Sequence, residues 1–168
     1  MDPDNNDNRA ETARTPLLIV DDDTAVCSSI HSLLAHQGYH PETAFNGHEA
    51  CQKLGRGRYE LVLLDLRLPD ISGHEVMAFL DRRGIDTAVV VISGDTSFNA
   101  ISRALRRGAY DYLRKPYDSE ELTATVESVL ETRQLEQCHQ EAQTQLWQSE
   151  QLHRCIVNSS PDIVFTLD

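Results

Sequence analysis

The chain has 168 residues, 40% of them apolar, and a formal net charge of −12. That length suits one domain of ordinary size plus an appendage, and the acidic balance argues against nucleic-acid binding by these residues. No apolar run exceeds five residues, which excludes a membrane span and a secretory h-region; four scattered Cys and seven His without ligand spacing exclude a disulfide frame and a zinc site, so a cytoplasmic protein is expected.

Residues 1–15 are polar and aperiodic and read as a disordered leader. Five strands are expected next, at Leu17–Asp21, Tyr39–Ala44, Leu61–Asp65, Ala88–Ile92 and Tyr110–Leu113. Helical patterns separate them. Thr24–Gln37 carries apolar residues at helical spacing and stops at Gly38. Asn46 caps a second helix that ends near Gly55 and Gly57, and Ser72 caps a third that Gly84 closes. A fourth runs from about Thr96 to Arg107. A fifth begins after Pro116, with Asp118 or Ser119 as its cap. From Ser119 to about Ile156 there is neither Pro nor Gly, so that last helix is expected to outrun the domain. Positions 135, 142, 149 and 156 hold Leu, Ala, Ser and Ile, a poor heptad series that leaves a short coiled coil and a solvated connector both open.

Strands alternating with helices imply a parallel sheet with helices on both faces and right-handed crossovers. Five of each fit an α/β, flavodoxin-like doubly wound fold with strand order 2-1-3-4-5. Its switch point lies between the first and third strands, where Asp21 and Asp65 would meet.

The ends of these strands carry the chemistry. Asp65 closes the buried run Leu61–Leu64, and Asp21, Asp22 and Asp23 follow the first strand. Clustered carboxylates outside a buried strand are costly unless a cation joins them. Mg²⁺, a hard ion that takes oxygen ligands, suits Asp22 and Asp65 directly and Asp21 through water. Capping of the next helix explains Asp23 equally well, but not Asp21 or Asp65. Ser93 ends the fourth strand and offers a hydroxyl to an anionic oxygen. Lys115 ends the fifth and brings a positive charge, with a cis Lys115–Pro116 bond as one way to aim it inward. Asp65 is then a carboxylate nucleophile able to form an acyl phosphate, and it needs no general base.

With LLIVDDD at 17–23, LVLLDLRLPDISG at 61–73, VVVISG at 89–94 and AYDYLRKPY at 109–117, residues 16–130 resemble the receiver domains of two-component response regulators. The resemblance implies phosphorylation of Asp65 by a histidine kinase or phosphotransfer protein. It implies Mg²⁺ on Asp22, Asp65 and the backbone carbonyl of Arg67, with Asp21 orienting a metal-bound water. It makes Ser93 and Tyr112 switch residues that reshape the face of the fourth helix, fifth strand and fifth helix. Arg67 and Asp95 should line the path of water to the phosphate, where they are expected to pair and slow its hydrolysis. Residues 131–156 become a connector helix, and 157–168 resemble the opening of a PAS domain. A homodimer through the connector or the switch face is expected, with no membrane contact.

The output stays open at this point. A hybrid sensor histidine kinase and a PAS-containing cyclic-di-GMP enzyme are the alternatives, and any output enzyme would lie outside this chain. A haloacid-dehalogenase-type phosphatase would carry a second Asp where Arg67 stands. A dinucleotide fold would carry glycines where Asp21, Asp22 and Asp23 stand. His139 lies on a helix suited to a phosphoacceptor His, but QCHQEA lacks the usual acidic residue after it.

Overall fold

The computed structural model describes residues 15–95 and 97–158. Residues 1–14 of the expected leader and 159–168 of the expected PAS-like opening lie outside the described residues. Five parallel strands, β1 (Pro16–Val20), β2 (His40–Ala44), β3 (Leu61–Asp65), β4 (Ala88–Ser93) and β5 (Asp111–Arg114), form one sheet in the order β2-β1-β3-β4-β5. Between and after them run α1 (Thr24–His36), α2 (Gly47–Leu54), α3 (Gly73–Arg83), α4 (Phe98–Arg106) and α5 (Ser119–Asn158). This is the doubly wound, flavodoxin-like α/β fold expected from the alternation of patterns.

The strand alternation divides the core. Leu18, Val20, Val62, Leu64, Val89 and Val91 face one side, where Ala50, Leu54, Val76, Met77, Leu80 and Ala104 of α2, α3 and α4 cover them. Leu17, Ile19, Leu61, Leu63, Val90 and Ile92 face the other, against Cys27, Ile30 and Leu34 of α1 and Leu122, Val126 and Val129 of α5. Every residue of β3 and β4 is buried, and both strands are apolar up to their last positions, Asp65 and Ser93, whereas β2 and β5 are edges with exposed positions.

Local chemistry fixes the boundaries. The Asp23 carboxylate accepts the Ala25 amide at 2.8 Å and caps α1, and Asn46 Oδ1 accepts the Glu49 amide at 2.8 Å to start α2. At α3 the Glu75 carboxylate reaches back to the Ser72 amide at 2.8 Å, and Gly84 closes the helix at φ +59. Asp118, rather than Ser119, caps α5 by accepting the Glu121 amide at 2.7 Å. Several expected ends shift by a residue or two. β1 stops at Val20, its last registered pair, because Asp21 turns its carboxylate to the Asp23 amide. α4 starts later than Thr96, because Ser97 accepts the Ala100 amide and is its cap.

The long helix is a single element, and α5 continues two residues past the expected end at 156. By its contacts the chain divides after Leu130 into two units. In the second, Leu135, Leu146 and Trp147 are exposed. No helix among the described residues is long and apolar enough to cross a membrane.

Candidate functional site

The sheet brings its carboxyl ends to one lip. β3 and β1 are neighbours, so Asp65 and Asp21 sit side by side just beyond the Val20–Leu64 pair. Both are nearly sealed from solvent, Asp21 at 3% exposed and Asp65 at 7%. Asp22 is exposed, and its carboxylate forms no hydrogen bond or ion pair among the described residues. Ligand oxygens of Asp21, Asp22 and Asp65 all lie within 4.8 Å of one another.

Lys115 enters this group from the end of β5. Its Nζ donates to Asp21 Oδ2 at 2.5 Å and to Asp65 Oδ2 at 2.6 Å. The Lys115–Pro116 bond is cis. Burial works against the charge on Lys115, but the two carboxylates outweigh it and raise its pKa above the ordinary 10.5. The other oxygens are held by backbone. Asp65 Oδ1 accepts the Arg67 amide at 2.9 Å, and Asp21 Oδ1 accepts the Asp23 amide at 2.9 Å. Each carboxylate is therefore fixed in rotation by two donors from different segments.

The charges at this lip do not balance. Three carboxylates face one ammonium, which leaves an excess of two negative charges in a site that is mostly buried. Oxygen donors with that excess fit a hard divalent cation, and the exposed Asp22 gives it an open side.

The remaining expected residues surround the lip. Ser93 is fully buried one position beyond the Asp65–Ile92 pair. Its Oγ accepts the Asp95 amide at 3.3 Å and its carbonyl accepts the Lys115 amide at 2.9 Å. Tyr112 is half-buried on β5 and its hydroxyl donates to the Asp95 carbonyl, which ties β5 to the loop after β4. Arg67 and Asp95 line one cavity but form no ion pair among the described residues. The Asp95 carboxylate accepts the Ser97 amide, and that bond comes before the Arg67 field among the causes that lower its pKa. Their expected pairing is thus a field and not a contact.

Several contributors carry no sequence signal. Asp70 accepts the Gly47 and His48 amides at 2.8 Å each and binds His48 Nδ1 at 2.5 Å, so the loop after β3 holds the start of α2. The Cys27 thiol donates to the Asp21 carbonyl at 3.3 Å, and burial, reinforced by the Asp21 charge, pushes it up to about 11. Gly73 packs so tightly on the loop that a Cβ there would lie 2.5 Å from the Asp65 carbonyl oxygen.

Comparison with known proteins decides the family. Residues 17–127 match the response regulator receiver domain. This chain belongs to that family. The receiver is 35% identical over 118 residues to the transcriptional regulatory protein DltR of Streptococcus agalactiae, covering 70% of this chain and 52% of that protein. It is 32% identical over 114 residues to the cell cycle response regulator CtrA of Brucella ovis, covering 68% and 49%. The chain thus spans about half the length of the curated relatives it matches. Among solved structures, a CheY-like response regulator receiver domain protein from Methanospirillum hungatei superposes with a TM-score of 0.68 at 29% identity, covering 73% of this chain and 98% of that one. The receiver is therefore a signalling domain of the two-component response-regulator type.

Proposed function

We propose that Asp65 is a reversible phosphoacceptor and that the receiver passes its phosphorylation state to an output. The observation that carries this reading is Lys115 Nζ held between Asp21 and Asp65, 2.5 and 2.6 Å away, inside an acidic cluster that still lacks positive charge. Asp65 attacks a phosphoryl group on a histidine of a partner kinase or phosphotransfer protein. The P–N bond breaks, an acyl phosphate forms, and the imidazole leaves with the electron pair. Asp22, Asp65, the Arg67 carbonyl and, through water, Asp21 would hold Mg²⁺, which when bound would supply charge neutralisation for the transferring group. Lys115 trades part of its hold on Asp65 for a phosphoryl oxygen, and Ser93 donates to another. Arg67 and Asp95, at the mouth of the neighbouring cavity, slow hydrolysis.

The readout runs through the loop after β4. Moving Ser93 towards the phosphate displaces Asp95, whose carbonyl now accepts the Tyr112 hydroxyl. Tyr112 turns inward and the face of α4, β5 and α5 changes shape. An apolar cavity of about 490 Å³ beside Lys115, between α1 and the Pro116–Tyr117 turn, gives the partner helix a place to dock.

The chain works in the cytoplasm. Residues 131–156 are the connector, which pairs two copies through the exposed Leu135 and Leu146 stripe and leads into a PAS-like domain from 157. The output is a sensory or enzymatic segment of a longer protein, such as a hybrid kinase or a cyclic-di-GMP enzyme. The name of the DltR relative favours a transcriptional output as the second reading.

Incubation with Mg²⁺ and acetyl phosphate, followed by intact mass and light scattering, tests this. Wild type gains one phosphoryl adduct and changes its dimer fraction, and Asp65→Asn does neither. An unmodified wild type refutes the phosphoacceptor, and a dimer fraction indifferent to phosphate refutes the dimerisation switch.

A further inference from the structure

A second cavity, about 460 Å³, opens between the loop after β3, the first turn of α3, the loop after β4 and the first turns of α4. Its charge is opposite to that of the chain. Arg67, Arg103 and His74 line it, with hydroxyl and amide groups from Ser93 and Asn99, and Asp95 is the one acid among the described residues that line it. The Asp95 carboxylate is already occupied by the Ser97 amide at 2.9 Å. Asp21, Asp22, Asp65 and Lys115 do not line this cavity, which adjoins the acidic lip and meets it at Arg67 and Ser93.

Three further observations set its chemistry. The Arg67 guanidinium lies across Gly94, where a Cβ would come within 3.4 Å of Nη2, so it spans from the β3 side to the β4 side. Arg107 Nη1 donates to the His74 carbonyl at 3.4 Å and ties α4 to the start of α3. His74 Nδ1 is buried and has no hydrogen-bond partner. A buried ring nitrogen without a partner is costly unless something meets it. Burial first, then the charges of Arg107 and Arg103, lower the His74 pKa. An anion in the cavity reverses the second effect and gives a protonated Nδ1 an acceptor.

We infer that this cavity binds the phosphate group of a small phosphate monoester. Two arginines and a histidine lining one cavity match a tetrahedral dianion better than a planar carboxylate, because three donors from separate elements can each take a different oxygen. The volume lies in the range of ordinary small-molecule sites and leaves room for a short organic body beyond the phosphate. The cavity shares Arg67 and Ser93 with the phosphoacceptor site, so occupancy and phosphorylation bias each other in both directions. That coupling rests on the phosphoacceptor reading, whereas the binding itself does not.

The test uses the full 168-residue chain without Mg²⁺ or phosphodonor, with glycerol 3-phosphate and inorganic phosphate as separate probes. Imidazole resonances of His74, assigned with His74→Gln, are followed during each titration, and sodium chloride of equal ionic strength serves as control. The expected result is a saturable His74 shift, tighter for the ester and kept in Asp65→Asn. Arg103 is exposed on α4, so Arg103→Gln keeps the fold and weakens binding about tenfold, the loss of one charge-assisted contact. A shift that chloride reproduces, that Arg103→Gln leaves unchanged, or that disappears in Asp65→Asn overturns the proposal. An ester no tighter than inorganic phosphate overturns the assignment to a monoester.

Discussion

Lys115 holds two carboxylates that would otherwise repel each other, while Asp22 stands beside them with no hydrogen-bond or ion-pair partner among the described residues. The two kinds of residue respond differently to mutation. Asp22 makes no described contact that stabilises the fold, so Asp22→Ala is expected to change unfolding free energy by no more than about 0.5 kcal/mol in Mg²⁺-free buffer. It should weaken Mg²⁺ binding by more than the roughly tenfold typical of losing an outer-shell partner. Calorimetric titration and thermal melts on the same samples separate the two quantities, and a large loss of stability with normal Mg²⁺ affinity would reverse the assignment. Asp21, Asp65 and Ser93 were legible in the sequence because each stands at the end of an apolar run, where a buried strand must surface, and Lys115 because it follows the last strand. Asp70, His74 and Cys27 were not. Their hydrogen-bond partners lie outside their own elements, 23 residues away for the Asp70 bond to Gly47 and 33 for the Arg107 bond to the His74 carbonyl, and no periodicity marks such bonds.

At the scale of elements, the turn from β3 into α3 sets the position of Asp65. Gly73 donates its amide to the Leu66 carbonyl at 3.0 Å, and a Cβ there would also lie 2.9 Å from the Leu66 Cα. Gly73→Ala forces the loop away from the helix, with a cost of about 2–3 kcal/mol, typical of overpacking against backbone. The same substitution should slow phosphate uptake, because it moves the Arg67 amide that holds Asp65 Oδ1. Chemical denaturation together with the rate of adduct formation checks both effects, and a variant as stable and as fast as wild type contradicts the packing argument. Helix starts were readable from Asn46, Ser72 and Asp118, since each cap is a local bond. The tie from Arg107 to the His74 carbonyl was not, because it depends on how α3 and α4 lie on the sheet.

The unit up to Leu130 should lose stability at high pH for reasons spread across both faces of its sheet. Burial pushes Cys27 up from 9.0 to about 11, and burial with the Glu42 hydrogen bond pushes Tyr59 up from 10.0 to about 12. Lys115 is also raised. A group whose folded pKa lies above its unfolded value stabilises fully below the unfolded one and loses that contribution as pH rises through the folded one. The decline should therefore begin near pH 9, where the unfolded thiol ionises, and continue through pH 11 and beyond. Cys27→Ala is expected to be less stable at pH 7 but flatter between pH 9 and pH 11, by at most about 1.4 kcal/mol per pH unit. Parallel pH profiles for the two proteins would remove the thiol from this account. The strand order and the position of the switch point followed from the alternation of patterns. The division of contacts after Leu130 is followed by a Gln-rich run, where apolar spacing fades while helix formers continue.

The most direct test of the central claim is to locate the phosphate. After incubation with Mg²⁺ and acetyl phosphate, borohydride reduction converts an aspartyl phosphate to homoserine, and peptide mapping finds where. The account predicts homoserine at position 65 in wild type and none in Asp65→Asn. Homoserine at another aspartate, or none in a protein that carries the adduct, would contradict it.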